Sequence, residues 1–254
     1  MLSVIIIGSG NVAFHLFQAF NCVKHTEVVQ VVARNKVALD QFAPETDRAT
    51  DFGTIKNADV YLLAVSDSAI RELIPYLKTK QGVVAHTSGS VPMTVLSETE
   101  SYGVFYPLQT FSKEKPVNLS EVPICIEGNN ATTLSVLGKL AQSLSGNVHE
   151  ITSEQRRKLH LAAVFANNFA NHLFAISAAI CEASHVPFDL LRPLIGETAD
   201  KVRLLPPEEA QTGPATRNDI ETMQRHLDEL ADPLHKKIYQ LLSQSIRQVH
   251  EKKL

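Results

Sequence analysis

Hydrophobic positions in the first part of the chain fall in short unbroken runs, each followed by a stretch with the spacing of an amphipathic helix. Residues 4–7 (VIII) are apolar throughout, as in a parallel strand covered on both faces, and Val12, Phe14, Leu16, Phe17 and Phe20 then recur at helical intervals. The pattern returns in VVQVVA (28–33), in VYLLAV (60–65) followed by SAIRELIPYL, and in GVVAH (82–86) followed by VPMTVL. Alternating strands and helices predict an α/β fold with a doubly wound parallel sheet. Shorter runs, GVFY (103–106) and PICIEG (123–128), a helix over 134–144 and a strand near 148–151 extend the same sheet.

From Ser153 onward only helical patterns remain: one long apolar helix to about Ala183, one over 188–204, one starting near Asn218 and an amphipathic last one from Pro233. This change of texture predicts two domains, 1–152 and 153–254. Between the second and third of these helices, LLPPEEAQTGPATRND (204–219) reads as a long polar loop.

The first strand ends in Gly8-Ser9-Gly10-Asn11-Val12-Ala13, a GxGxxA loop that opens a helix inside a βαβ unit. Such a loop combines a tight turn, close backbone approach and a helix N-terminus facing an anion, the needs of a dinucleotide's pyrophosphate. The second strand ends at Arg34-Asn35, where an NAD site would place an acid for the ribose hydroxyls. A guanidinium there suits a 2′-phosphate, and no carboxylate is expected beside it to repel that charge, so the expected cofactor is NADP.

Ligands of open α/β sheets lie outside the carboxyl ends of the strands. AVSDSAI (64–70) and HTSGS (86–90) close two of them, which assigns Val65, Ser66, Thr87 and Ser88 to the cofactor and His86 to chemistry; Thr87 and Ser88 serve equally well as a turn capping the next helix. On the long helix, His160 and Asn167 are two turns apart on one face, with Asn168 and Asn171 adjacent. Polar groups in such a setting must be satisfied, either across an interface or as the floor of a substrate pocket in which His160 serves as general acid with Asn167 and Asn168 beside it. Lys158 is rotated off that face. In TGPATRND, Asn218 and Glu221 have capping-box spacing, placing Arg217 just outside a helix N-terminus, either to hold a substrate anion or as a plain surface residue. His226 and the terminal HEKKL read as solvated helix surface.

A net charge of −3 gives no basic excess for a nucleic-acid binder and points to small-molecule partners. Three scattered cysteines form neither a disulfide framework nor a metal site, as expected of a cytoplasmic protein. The polar residues of LHLAAVFANNFANHLFAISAAI (159–180) argue against a membrane span, and the same helix is apolar over enough of its circumference to predict a homodimer.

With GSGNVA, AVSDSAI, HTSGS, YPLQTF, LHLAAVFANNF and TGPATRND in order, the chain resembles over almost its whole length a family of bacterial Rossmann-like NADP oxidoreductases that carry a C-terminal domain of unknown function (DUF2520). Wider relatives are ketopantoate reductase, pyrroline-5-carboxylate reductase, the F420-dependent NADP oxidoreductases and the β-hydroxyacid dehydrogenases. The resemblance implies a Rossmann domain, a helical domain like the C-terminal part of 6-phosphogluconate dehydrogenase, dimerisation through that domain, and reduction of a small carbonyl or imine, with Tyr106, Gln109 and Arg217 towards the substrate. The chain departs from these patterns at three places. The Lys and Asn of the β-hydroxyacid dehydrogenases are replaced by His160 followed one turn later by Val164. A His-Pro becomes Tyr106-Pro107, and an Arg-Gly-Asp becomes Arg217-Asn218-Asp219. The missing lysine leaves a second expectation open, an NADP-binding sensor without turnover.

Overall fold

The structure, a computed structural model, describes residues 1–251; Lys252 to Leu254, the end of the HEKKL stretch, lie outside them. Eight strands form one sheet in the order β3-β2-β1-β4-β5-β6-β7-β8. They are β1 (Leu2–Ile7), β2 (Thr26–Val32), β3 (Asp47–Ala49), β4 (Val60–Leu63), β5 (Val83–His86), β6 (Tyr102–Pro107), β7 (Ile124–Gly128) and β8 (Val148–Glu150). Neighbours are parallel except β6 and β7, which pair antiparallel with Phe105 opposite Ile126. The sheet thus ends in two strands, β7 and β8, that run opposite to the other six.

The unbroken apolar runs are explained by coverage on both faces. In β1, Val4 and Ile6 join a core with Leu16, Phe17 and Phe20 of α1 (Asn11–Cys22) and with Leu137, Leu140 and Leu144 of α4 (Ala131–Leu144). Ile5 and Ile7 face the other way, into a core with Ile70, Leu73, Ile74 and Leu77 of α3 (Asp67–Leu77). Because α1 and α3 cover opposite faces, the chain reverses its winding between β1 and β4, and a crevice opens at their carboxyl ends.

Three short elements escape the periodicity: α2 (Lys36–Leu39), a single turn capped by the Asn35 side chain, β3, three residues (Asp-Arg-Ala) paired to β2, and a 3-10 turn over Phe52–Thr54. The expected helix in VPMTVL is also a 3-10 turn, Met93–Leu96.

Backbone packing divides the chain into two compact units, the first Met1–Asn168 and the second from Phe169 on. The all-helical texture begins at Thr152, which caps α5 (Ser153–Ala163) through a capping box with Gln155. The division itself falls in a π-helical segment, Val164–Phe169. Ser153–Ala183 is long and apolar enough to cross a membrane by length and composition alone, and it carries His160, Asn167, Asn168, Asn171 and His172.

In the second unit follow α6 (Ala170–Ala183), α7 (Arg192–Leu204), α8 (Pro207–Ala210), α9 (Ile220–Glu229) and α10 (Pro233–Glu251). The loop over 204–219 therefore contains one helical turn, α8. The cap of α9 is Asp219, whose carboxylate accepts from the Thr222 N–H at 3.0 Å, and not Asn218, which sits at φ +54°. That bond holds the Asp219 carboxyl below the usual carboxylate range.

Candidate dinucleotide and proton-transfer site

A cavity of about 1070 Å³ opens in the first unit at the carboxyl ends of β1 and β4, large even for small-molecule sites, which span roughly 300–1,000 Å³. Its floor is the glycine loop. Gly8 has φ +131°, and a Cβ there would stand 2.1 Å from the Ala64 carbonyl oxygen, so the turn between β1 and α1 admits no side chain. Gly10 differs: a Cβ on it meets nothing within 4 Å. No protein atom explains the absence of a side chain at Gly10; the room above it is what a pyrophosphate needs. Gly10 is also the N-cap of α1, and no side chain caps the amides of that first turn, which stay available to an anion.

The lining contains Gly8, Ser9, Gly10, Asn11 and Val12 of the loop, Arg34 and Asn35 after β2, Val65 and Ser66 after β4, Thr87, Gln109, His160, Asn167 and Asn168. Ala13 is fully buried beneath the loop. Ser88 is not in the wall; its hydroxyl accepts from the N–H groups of Ser90 and Val91, so it caps the turn. The segment after β6 reaches over the loop, Asn11 Nδ2 donating to the Phe111 carbonyl at 2.7 Å and His15 Nε2 lying 2.9 Å from the Ser112 carbonyl.

The adenosine end is not free of acidic groups, contrary to expectation. Glu72, on α3, brings its carboxylate 3.7 Å from Nη1 of Arg34, so an acid does stand beside that guanidinium. Thr50, Asp51, Phe52 and Tyr76 complete this end, with the Phe52 and Tyr76 rings 5.6 Å apart and inclined at 44°, an aromatic wall against which a purine can lie.

At the other end lies His160. Its Nδ1 is 3.0 Å from the Tyr106 hydroxyl of β6. Tyr106 is buried, which pushes its phenol pKa up, and it backs His160 from outside the cavity wall. Gly89 lies so close that a Cβ on it would be 2.5 Å from Nδ1. Asn167 and Asn168 reach the same cavity from the π-helical segment, where each residue advances by less than the α-helical 100° or so; consecutive side chains therefore stay nearer the face of His160 than in a regular helix. Lys158 pairs instead with Glu154 at 2.8 Å.

His86 does not join this group and, contrary to expectation, does not face the cavity. It is fully buried in β5, its Nδ1 accepts from the Ser88 N–H at 3.2 Å, and burial together with the nearby Arg156 guanidinium lowers its pKa to about 4. Arg156 was not singled out by the sequence: 1% exposed, it donates to Glu127 at 2.6 Å and to the Val91 carbonyl and Ser153 hydroxyl, fastening α5 to the sheet one turn before His160. Arg217 belongs to the second unit, in the turn ahead of α9. His226, exposed as expected, has its Nδ1 2.8 Å from the Tyr239 hydroxyl. Among the described residues no group of three or more His, Cys, Asp and Glu is placed to hold a metal ion.

Residues 1–110 match the model of a Rossmann-like domain, and residues 122–246 that of a domain of unknown function, DUF2520. A Bacteroides fragilis protein provisionally named an NADP oxidoreductase is 39% identical, with 97% of this chain and 98% of that one covered and a TM-score of 0.90. A Thermotoga maritima protein is 20% identical over 98% and 99% of the two chains, with a TM-score of 0.73. A pyrroline-5-carboxylate reductase from Coxiella burnetii shares the fold at 17% identity, 99% and 94% coverage and a TM-score of 0.58. No curated protein matches the sequence. The cavity at the glycine loop, the sheet order and the match along almost the whole chain agree: this protein belongs to the family of the Bacteroides fragilis protein, Rossmann-like proteins that continue into a DUF2520 domain.

Proposed function

We propose that the protein is an NADP-dependent oxidoreductase acting on a small carbonyl or imine compound. The observation that carries this reading is the single cavity wall that joins the uncapped, side-chain-free turn at Gly10 to Arg34 at one end and to His160, Asn167 and Asn168 at the other. The loop amides of 10–13 hold the pyrophosphate, Arg34 takes the 2′-phosphate and the Phe52–Tyr76 surface takes the adenine. NADPH bound there supplies hydride.

The chain's own contribution to chemistry lies at His160. As general acid His160 acts as the imidazolium: its Nδ1–H donates to the Tyr106 oxygen, and its Nε2–H supplies the proton to the substrate oxygen or nitrogen that gains charge, leaving a neutral ring that keeps the Tyr106 bond. Asn167 and Asn168 orient that polar group by hydrogen bonding.

We further propose a soluble cytoplasmic homodimer. In the first unit Leu161 is 59% exposed, and in the second Leu173, Phe174 and Ile180 of α6 are 36–44% exposed, apolar surface suited to burial against a second copy of the chain about a two-fold axis.

The reading is tested by following NADPH absorbance with a panel of 2-oxo acids, cyclic imines and flavin or F420-like acceptors. Oxidation of NADPH by one of these classes supports it. Tight nucleotide binding with no turnover on any of them favours a sensor instead.

A further inference from the structure

The adenosine end of the cavity holds more negative charge than a phosphate site calls for. Arg34 is joined there by two carboxylates, Asp51 and Glu72. Asp51 is occupied structurally, because its Oδ1 accepts from the Gly53 N–H at 2.8 Å and so caps the 3-10 turn. Glu72 projects from α3, and its carboxylate faces Arg34 at 3.7 Å, with both side chains well exposed (67% and 72%). The pair is cheap to break, since exposed ion pairs contribute little.

Resting on the dinucleotide reading above, we propose that Glu72 is a specificity-determining residue that limits the preference for NADP over NAD. A 2′-phosphate must take Arg34 from Glu72 and then remain next to a like charge, whereas an unphosphorylated ribose leaves the ion pair in place and offers hydroxyl donors to the same carboxylate. Phosphate makes the stronger, bidentate contact with a guanidinium, so NADP is still preferred. The preference is smaller than Arg34 alone would give, and the protein accepts both nucleotides. Specificity here is a difference of two affinities, and Glu72 is its repulsive element.

The experiment titrates wild type, Glu72→Gln and Arg34→Gln with NADPH and with NADH, reading nucleotide fluorescence. Glu72→Gln is expected to tighten NADPH by roughly 3- to 10-fold, and more at low than at high salt, while NADH binding stays level or weakens. Arg34→Gln is expected to weaken NADPH and leave NADH nearly unchanged. A Glu72→Gln protein whose NADPH/NADH affinity ratio stays within about two-fold of wild type would overturn the inference and leave the dinucleotide reading standing. A wild-type protein that binds neither nucleotide would overturn both.

Discussion

The Tyr106 hydroxyl and Nδ1 of His160 lie 3.0 Å apart, joining β6 to α5 within one compact unit. The bond occupies Nδ1 and leaves Nε2 as the nitrogen from which the proposed imidazolium acid gives its proton. Removing His160 takes away the proposed acid, so His160→Ala is expected to lower kcat by roughly 10²- to 10⁴-fold. Tyr106→Phe, which keeps the ring and loses the orienting bond, should lower kcat less. NADPH affinity should change little in either variant. Steady-state kinetics on the substrate found in the panel, with a nucleotide titration beside it, checks all three expectations.

Gly89 leaves His160 its place. A methyl group at Gly89 would overlap the imidazole, at 2.5 Å from Nδ1, so Gly89→Ala must push the ring away from Tyr106 or strain the HTSGS turn. It is expected to destabilise the protein by about 1–3 kcal/mol, the usual range for overpacking. The same change made together with His160→Ala should cost clearly less, because the atoms it collides with are gone. Denaturant melts of the two single variants and the double variant measure that difference; strict additivity would place the collision elsewhere.

His86 makes stability depend on pH. Its folded pKa of about 4 lies below the ordinary 6.5, so on acidification the unfolded chain takes up a proton before the folded one. The His86 contribution is constant above about pH 6.5 and is lost as pH falls towards 4, up to roughly 3 kcal/mol in all. Arg156, Asp67 and Glu127 are the charged groups that act on it. His86→Gln should decline less steeply than wild type over that interval in thermal melts at stepped pH; parallel curves would show that His86 is not the group responsible.

The buried pair of Arg156 and Glu127 has a different signature. Glu127 also accepts from the backbone N–H and the hydroxyl of Ser153, so it holds both the guanidinium and the first turn of α5. Glu127→Gln leaves Arg156 charged and inadequately paired in the core, with an expected loss of about 3–5 kcal/mol. Urea unfolding gives this directly, and a loss below 1 kcal/mol or so would mean that water reaches the guanidinium.

The sequence made the glycine loop legible because a wholly apolar strand, a loop and a helical repeat stand next to one another in the chain. The pairing of His160 with Asn167 was equally visible, since two helical turns bring them to one face. The correction at His86 has a simple cause: a histidine closing a strand resembles a residue on the ligand edge, but β5 stays covered through its last position, as its full burial shows. Glu72 was hidden by distance in sequence from Arg34; only the packing of α3 on β1 and β4 unites them. The π-helical segment that brings Asn168 beside Asn167 and the pairing of the short polar β3 likewise have no local pattern to announce them.

Binding of a dinucleotide in this cavity is read most directly at Gly10. A methyl group there meets no protein atom within 4 Å, so Gly10→Ala should fold and melt like wild type; what it fills is the space assigned to the pyrophosphate. Calorimetric titration with NADPH is expected to show binding to wild type and at least roughly ten-fold weaker binding to Gly10→Ala at unchanged thermal stability. Equal NADPH affinity in the two proteins, or no binding to wild type, would mean that the space above Gly10 does not hold a dinucleotide's pyrophosphate.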